Sequence, residues 1–290
     1  MEQGTNSGVG GASIWIQNLV DGVAGTTIQA KHADYYGTSP FQKIEVFDTY
    51  AFGRTLLLAG TIVFTEKDEH IYHEMSVQVP LLMHPAPKRV CVIGGGDGGC
   101  LREVLKHSGV TAVSIVDIDA RVKETVSAYF PQLAAGFADS RVAVTIQDGC
   151  SYLENTKDLF DVMIVDSYDP GGPVATLETA NFYSLVAAHM SARGIAVIQT
   201  DSPSLRSEVL RRTIAGVSTL FAEIRPYTCT IPSFPGGICS FLACAREKGA
   251  LDKFDAARYA PVAGTCKYYN DQVHRGAFML PQGIRQIVQS

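Results

Sequence analysis

From Arg89 onward the chain alternates between short apolar runs and amphipathic runs, and this alternation restricts its fold more than any other feature. The runs RVCVIGG, AVSIVDID, VAVTIQD, FDVMIVDS and GIAVIQT read as strands. They are short, rich in Val and Ile, and end in glycine or an acidic or polar side chain. CLREVLKH, RVKETVSAYF, CSYLENT and LETANFYSLVAAHM lie between them, and SLRSEVLRRTIAGVSTLF follows, all with helical character. Five strand–helix units predict a parallel sheet with helices on both faces, because right-handed crossovers return each strand in the same direction. Two further strands, at about 222–231 and 238–245, have no helix between them. They predict an antiparallel hairpin on the sheet edge.

The expected fold class is therefore α/β: a methyltransferase-like Rossmann sheet, mostly parallel, with an antiparallel C-terminal hairpin and a small N-terminal β-rich domain. In the N-terminal part, FQKIEVF alternates like a half-buried strand, DTYAFG supplies turn chemistry, and Arg54 to Thr65 reads as one or two more strands. DEHIYHEMSVQV, from Asp68 to Val79, predicts the first long helix, stopping at Pro80. The division expected is a flexible tail over 1–12, a β-strand domain over 13–70 and a Rossmann-like catalytic domain over 71–290.

Composition removes several functions. Lys+Arg number 24 against 29 Asp+Glu, a formal charge of −5, which suits cationic small molecules better than nucleic acid. The longest apolar stretch, Leu56 to Phe64, is far short of the roughly 20 residues of a membrane helix. The N-terminus has neither a basic start nor an apolar secretory segment. Seven cysteines, none in a C-x-x-C pair, read as reduced core thiols of a cytoplasmic protein rather than a zinc site.

The chemistry gathers at the strand ends. Gly94-Gly-Gly-Asp97-Gly-Gly99 follows the first strand of the alternating region and precedes a helix, where glycines let a ligand approach the backbone. Asp117 stands 23 residues after Gly94, close to the spacing of an acid that binds ribose hydroxyls. A nicotinamide dinucleotide is one reading. Asp97 inside the turn opposes it, since a carboxylate repels pyrophosphate and attracts a cation. A sulfonium nucleoside fits better. Ligands of open parallel sheets bind beyond the carboxyl ends of the strands. Those ends carry, in order, Asp97, Asp117 with Asp119, Asp148, Asp166 with Asp169, and Gln199 with Asp201, with no Lys or Arg among them. The five together describe a pocket for positive charge. No metal is expected: no His or Cys accompanies Asp117 and Asp119 at ligand spacing.

These residues resemble a known family, the polyamine aminopropyltransferases, most of all its spermidine synthases. The likeness runs from about Phe41 to Pro281. It rests on Phe41-Gln42, EKDEHIYHEM (66–75), VIGGGDGG (92–99), LREVLKH (101–107), VDID (116–119), QDG (147–149), VDSYDPGGP (165–173), CTIP (229–232) and KYYNDQVHRGAF (267–278). The resemblance implies transfer of an aminopropyl group from decarboxylated S-adenosylmethionine, a co-substrate, to putrescine. The products would be spermidine and methylthioadenosine, with no cofactor and no metal. It implies donor contacts from Gln42, His73, Gly94, Gly95, Gly96, Asp97, Asp117, Asp148 and Gly149. Acceptor contacts would come from Tyr72, Asp97, Asp166, Asp169, Gln199 and Phe234, with Asp166 as the base. Tyr168 to Thr179 would be a lid, and a homodimer or homotetramer is expected.

The chain departs from the family where I-P-T-Y-P is usual: it has Ile231-Pro-Ser-Phe234-Pro. The lost hydroxyl removes a hydrogen bond to a charged acceptor, worth about 1.5–3 kcal/mol. Tyr168 replaces a small residue between Asp166 and Asp169, and Leu58-Ala59-Gly60 stands where L-D-G is common. The alternatives are therefore a putrescine N-methyltransferase or an aminopropyltransferase with another polyamine acceptor.

Overall fold

The computed structural model describes residues 13–166 and 175–289. Two sheets organise them. The first is a five-stranded antiparallel meander, in the order β1-β2-β3-β4-β5. Its strands are β1 (Ile14–Val20), β2 (Ala24–Thr38), β3 (Lys43–Thr49), β4 (Gly53–Leu58) and β5 (Thr61–Thr65). Ile44, Val46, Leu56 and Phe64 alternate inward and pack on Val122, Val126, Phe130 and Leu133 of the neighbouring layer. The β1–β2 hairpin was not legible in the sequence. Much of β2 is polar and part-exposed, so its apolar alternation is faint.

Helix α1 (Glu69–Met83) joins the two sheets. It continues through Pro80 instead of stopping there, and the boundary expected at residue 70 falls within its first turn. Every residue from Ile71 to Met83 is buried, so burial of this helix outweighs the missing proline N–H.

The second sheet has seven strands, ordered β11-β12-β10-β9-β6-β7-β8. In chain order come β6 (Arg89–Gly94), α2 (Gly99–Leu105), β7 (Ala112–Asp117), α3 (Ala120–Tyr129), α4 (Pro131–Ala134), β8 (Val142–Ile146), α5 (Gly149–Asn155) and β9 (Phe160–Asp166). There follow α6 (Ala180–Ala188), β10 (Met190–Gln199), α7 (Ser207–Val217), β11 (Glu223–Thr230) and β12 (Ile238–Ala245), then α8 (Ala256–Ala263), α9 (Asp271–Ala277) and α10 (Gln282–Gln289). Strands β8, β7, β6, β9 and β10 are parallel neighbours, and β12 runs antiparallel to both β10 and β11. This is the expected Rossmann-like sheet with its antiparallel edge hairpin. Pro226 is tolerated because β11 is the edge strand.

Strand order reverses between β6 and β9, where Gly94 pairs with Asp166. Consecutive strands run outward from β6 on one side and from β9 on the other, which opens a crevice at their carboxyl ends. All seven cysteines are free. Among the described residues no helix is long and apolar enough to cross a membrane.

Candidate active site

The strand reversal and the glycine turn build one cleft. It is lined by Gln42, Tyr72, His73, Gly94, Gly95, Gly96, Asp97, Asp117, Asp148, Gly149, Asp166, Gln199, Asp201 and Phe234. Asp169 and Tyr168 lie outside the described residues, as does most of the segment read as a lid.

Glycine at position 96 is required by close approach. Its N–H donates to Asp117 Oδ2 at 2.9 Å, and a Cβ there would lie 2.6 Å from that same oxygen. The other Asp117 oxygen accepts from the Asp119 N–H at 2.9 Å. Burial raises the Asp117 pKa, against these two N–H donors. Asp148 caps α5 by accepting from the Ser151 N–H at 2.9 Å, and it accepts from Thr176 Oγ1 at 3.0 Å. The nearby glycine turn and two acids leave backbone and carboxylate groups facing one end of the cleft.

Gln42 lines the cleft with its amide tied back to the protein. Its Nε2 donates to Asp119 Oδ2 at 3.0 Å, beside the Ser39 hydroxyl at 2.7 Å on the same oxygen. These bonds tie the β2–β3 connection to the cap of α3, so Gln42 reaches the cleft wall already anchored.

At the reversal point two carboxylates, Asp97 and Asp166, are driven in opposite directions. Burial alone would raise Asp97, but the His73 cation and the Gly99 N–H (2.8 Å to Oδ1) bring it below the usual carboxylate range. His73 Nε2 lies 3.4 Å from Asp97 Oδ2, and Nδ1 lies 2.7 Å from Glu69 Oε2. Despite burial, which lowers it, these carboxylates carry the His73 pKa up to about 10. Glu69 is in turn gripped by both terminal nitrogens of Arg102, at 2.7 and 2.9 Å. Glu69 falls to about 2 because its His73 and Arg102 partners outweigh burial. Spacing on α1 places Glu69 and His73 one turn apart, on the same face.

Asp166 goes the other way. Burial and the neighbouring Asp97 charge raise it to about 6. The Tyr72 hydroxyl donates to Oδ1 at 2.6 Å and the Cys100 thiol to Oδ2 at 3.1 Å. Gln199 Oε1 lies 2.9 Å from the same Tyr72 oxygen. Phe234 approaches Tyr72 with ring centroids 6.2 Å apart.

Two lining residues, Arg206 and Asn18, and one residue behind the wall, Cys100, were not legible in the sequence. Arg206 stands in the wall, which corrects the expectation of a cleft without basic side chains. Arg206 enters from the loop that follows the last of the acidic strand ends, five residues beyond Asp201. Asn18, buried on β1, lines the cleft from the N-terminal sheet; nothing in its local sequence distinguishes it. Cys100 follows the glycine motif directly, yet its contact with Asp166 spans 66 residues. Elsewhere, Glu74, Glu103 and Cys266 come within metal-ligand range of one another. Their carboxylates already serve the protein. Glu74 takes the N–H groups of Lys267, Tyr268 and Tyr269, and Glu103 takes Gln78, Arg102 and Lys106.

A Rossmann-like sheet whose switch point carries several carboxylates beside a glycine turn defines a protein with a small-molecule cleft at its strand ends. Residues 69–253 match the family model described as spermine/spermidine synthase domain, and residues 14–66 match the spermidine synthase tetramerisation domain. The chain is 37% identical over 277 residues to the polyamine aminopropyltransferase of Moorella thermoacetica, covering 96% of this chain and 97% of that one. It is 40% identical over 248 residues to the polyamine aminopropyltransferase of Desulforudis audaxviator, covering 84% and 88%. Among solved structures it is similar to a spermidine synthase in complex with the transition state analogue AdoDATO, with a TM-score of 0.91, 32% identity and 95% of both chains covered. It is equally similar to the spermidine synthase of Thermotoga maritima, with a TM-score of 0.90, 32% identity, and 95% and 94% covered. The chain belongs to the polyamine aminopropyltransferase family, that of the spermine and spermidine synthases, and it is an aminopropyltransferase enzyme.

Proposed function

We propose that this enzyme transfers the aminopropyl group of decarboxylated S-adenosylmethionine to putrescine, giving spermidine and methylthioadenosine, with Asp166 as general base. The observation that carries the reading is the pair Asp97 and Asp166: one held ionised by His73, the other raised to about 6 in the same cleft. Environments that separate two neighbouring carboxylates in this way assign them different roles.

Asp97 stays charged and holds an ammonium group. Asp166 can take a proton. The acceptor amine has a pKa of about 10, like lysine, and its protonated form has no lone pair. Asp166 accepts a proton from it as the nitrogen attacks the carbon next to the sulfonium. A C–N bond forms, the C–S bond breaks, and the electron pair goes to sulfur, which leaves as a neutral thioether. Asp117 is placed for ribose hydroxyls, Asp148 with Gly149 for the adenine edge. Two cations that repel each other in water are brought together by carboxylates, which contributes through positioning and charge. In this reading the reaction uses no metal or cofactor, the free cysteines suit a cytoplasmic enzyme, and the N-terminal sheet assembles copies into a homo-oligomer.

The test is methylthioadenosine release by the purified protein from decarboxylated S-adenosylmethionine and a panel of amines, with chelator present. Putrescine should be converted. Asp166→Asn should lose roughly 10²–10⁴-fold in turnover, the usual worth of a general base, while still binding the donor. Near-normal turnover by that variant removes Asp166 as base. A requirement for a divalent ion removes the metal-free mechanism. Methyl transfer from intact S-adenosylmethionine, or another amine as preferred acceptor, replaces the substrate assignment.

A further inference from the structure

Asp68 precedes α1, yet its side chain makes no capping bond to the helix. An acid at that position ordinarily accepts from the free N–H groups of the first turn. Here the carboxylate faces the loop between β11 and β12. Its Oδ2 accepts from the Ser233 N–H at 2.9 Å, and its Oδ1 accepts from the Ser233 hydroxyl at 3.0 Å and the Thr65 hydroxyl at 2.6 Å. All three residues are buried. Phe234, the next residue in the loop, lines the cleft beside Tyr72, whose hydroxyl meets Asp166. The loop is closed by backbone bonds among Ile231, Phe234 and Gly237. Across it stands the β1–β2 hairpin, where Thr26 Oγ1 donates to the Phe234 carbonyl at 3.1 Å and Asp21 pairs with Arg206 at 2.7 Å. Those contacts keep the shape of the loop and its distance from the first sheet. Asp68 ties the loop to α1, one turn before Tyr72.

We propose that Asp68 is a positioning residue for the acceptor: by holding both polar groups of Ser233 it fixes Phe234 against Tyr72, and with it the gap through which an amine reaches Asp166. The proposal rests on aminopropyl transfer to an amine as described above. Asp68 touches neither substrate in this arrangement. It acts through the step from Ser233 to Phe234. Without the carboxylate, a buried N–H and a buried hydroxyl lose their partner, and the loop must shift or admit water to satisfy them. Phe234 moves with the loop, so the amine binds less tightly. The donor side of α1 has anchors of its own. Arg102 grips Glu69, and Glu69 and Asp97 hold the His73 ring between them. Loss of Asp68 therefore falls on the acceptor and spares the donor.

The experiment measures KM for the amine that the wild-type enzyme uses best, and the Kd of decarboxylated S-adenosylmethionine by calorimetry. Asp68→Ala should raise the amine KM about tenfold or more, the usual effect of stranding buried groups that bonded to a charge, with the donor Kd within about twofold of wild type. Asp68→Asn should restore the amine KM to within about threefold, because its carbonyl can take the Ser233 N–H while its amide N–H groups donate to the hydroxyls. An amine KM unmoved in Asp68→Ala overturns the assignment. So does a donor affinity that falls as far as the amine's, which marks a merely structural role. Should Asp68→Ala not fold, Ser233→Ala decides, since it loses the hydroxyl bond and keeps the N–H bond. An amine KM raised about threefold or more with the donor Kd unchanged supports the assignment, and an unmoved KM overturns it. If the wild-type enzyme transfers to no amine, the proposed function fails first and takes this inference with it; wild-type turnover separates the two failures.

Discussion

Asp166, the proposed base, sits between two influences: burial, which raises its proton affinity, and hydrogen bonding, which favours its charged form. Burial and Asp97 push its pKa up, whereas His73, Tyr72 and Cys100 pull it back, leaving it at about 6. As the proposed base Asp166 works as the carboxylate, so kcat/KM should be full above that pH and fall as pH drops through about 6. Cys100 tests this arrangement at one atom. Its thiol bond to Oδ2 favours the charged form, so in Cys100→Ala the acid limb of the pH–rate profile should move to higher pH. A limb that stays in place would mean that the sulfur merely fills space. The legibility of the individual residues follows the same division. Asp97, Asp117, Asp148 and Asp166 were readable as one set, because parallel strands deliver their ends to one edge. Their unequal proton affinities were not, because these depend on partners up to 94 residues away, as with Tyr72 and Asp166.

Among the elements, α1 does most to set the site. It presents Glu69, Tyr72 and His73 toward the glycine turn and keeps Glu74 and Gln78 buried behind them. Its contact with α2 is so close that a Cβ on Gly99 would fall 2.1 Å from the His73 ring. The His73 charge therefore belongs to the helix pair, not to an isolated side chain. The sign of its stability effect is fixed by the raised pKa. The folded state favours the imidazolium, so the stabilisation is whole below about 6.5 and is lost as pH rises toward about 10. Thermal unfolding should show wild-type stability declining across that window, and His73→Gln should show a flatter profile. Equal slopes would place the imidazolium elsewhere. Glu69, lowered to about 2, contributes with the opposite sign: its share is present above about 4.5 and is lost in strong acid. Pro80 does not end α1, because the local rule by which proline stops helices is overridden by complete burial of Ile71 to Met83.

In the whole molecule, the N-terminal sheet is both a wall of the cleft and an outward face. Asn18 and Asp21 serve the first role, through the cleft lining and the Arg206 pair. Alternation along β1 gives the second: Ile16 and Asn18 point inward, while Trp15 (55% exposed) and Gln17 point out. A tryptophan so exposed on an outer sheet face, within the segment that matches a tetramerisation domain, fits assembly with further copies. Trp15→Glu should shift the enzyme to a smaller species in size-exclusion chromatography with light scattering. An unchanged mass would place the contact on another surface.

The amino-acid order by itself determined the alternating strands and helices, the direction of the main sheet and the collection of acids along its carboxyl edge. These follow from side-chain periodicity and from chirality, both local properties of a chain. Tertiary packing alone decided which of two carboxylates in the cleft binds a proton more readily and that Arg206 enters the wall. It also brought a polar hairpin from the first residues over the same cleft. Charge state and specificity arise from desolvation and from neighbours contributed by distant segments, and those exist only once the two sheets have closed on each other.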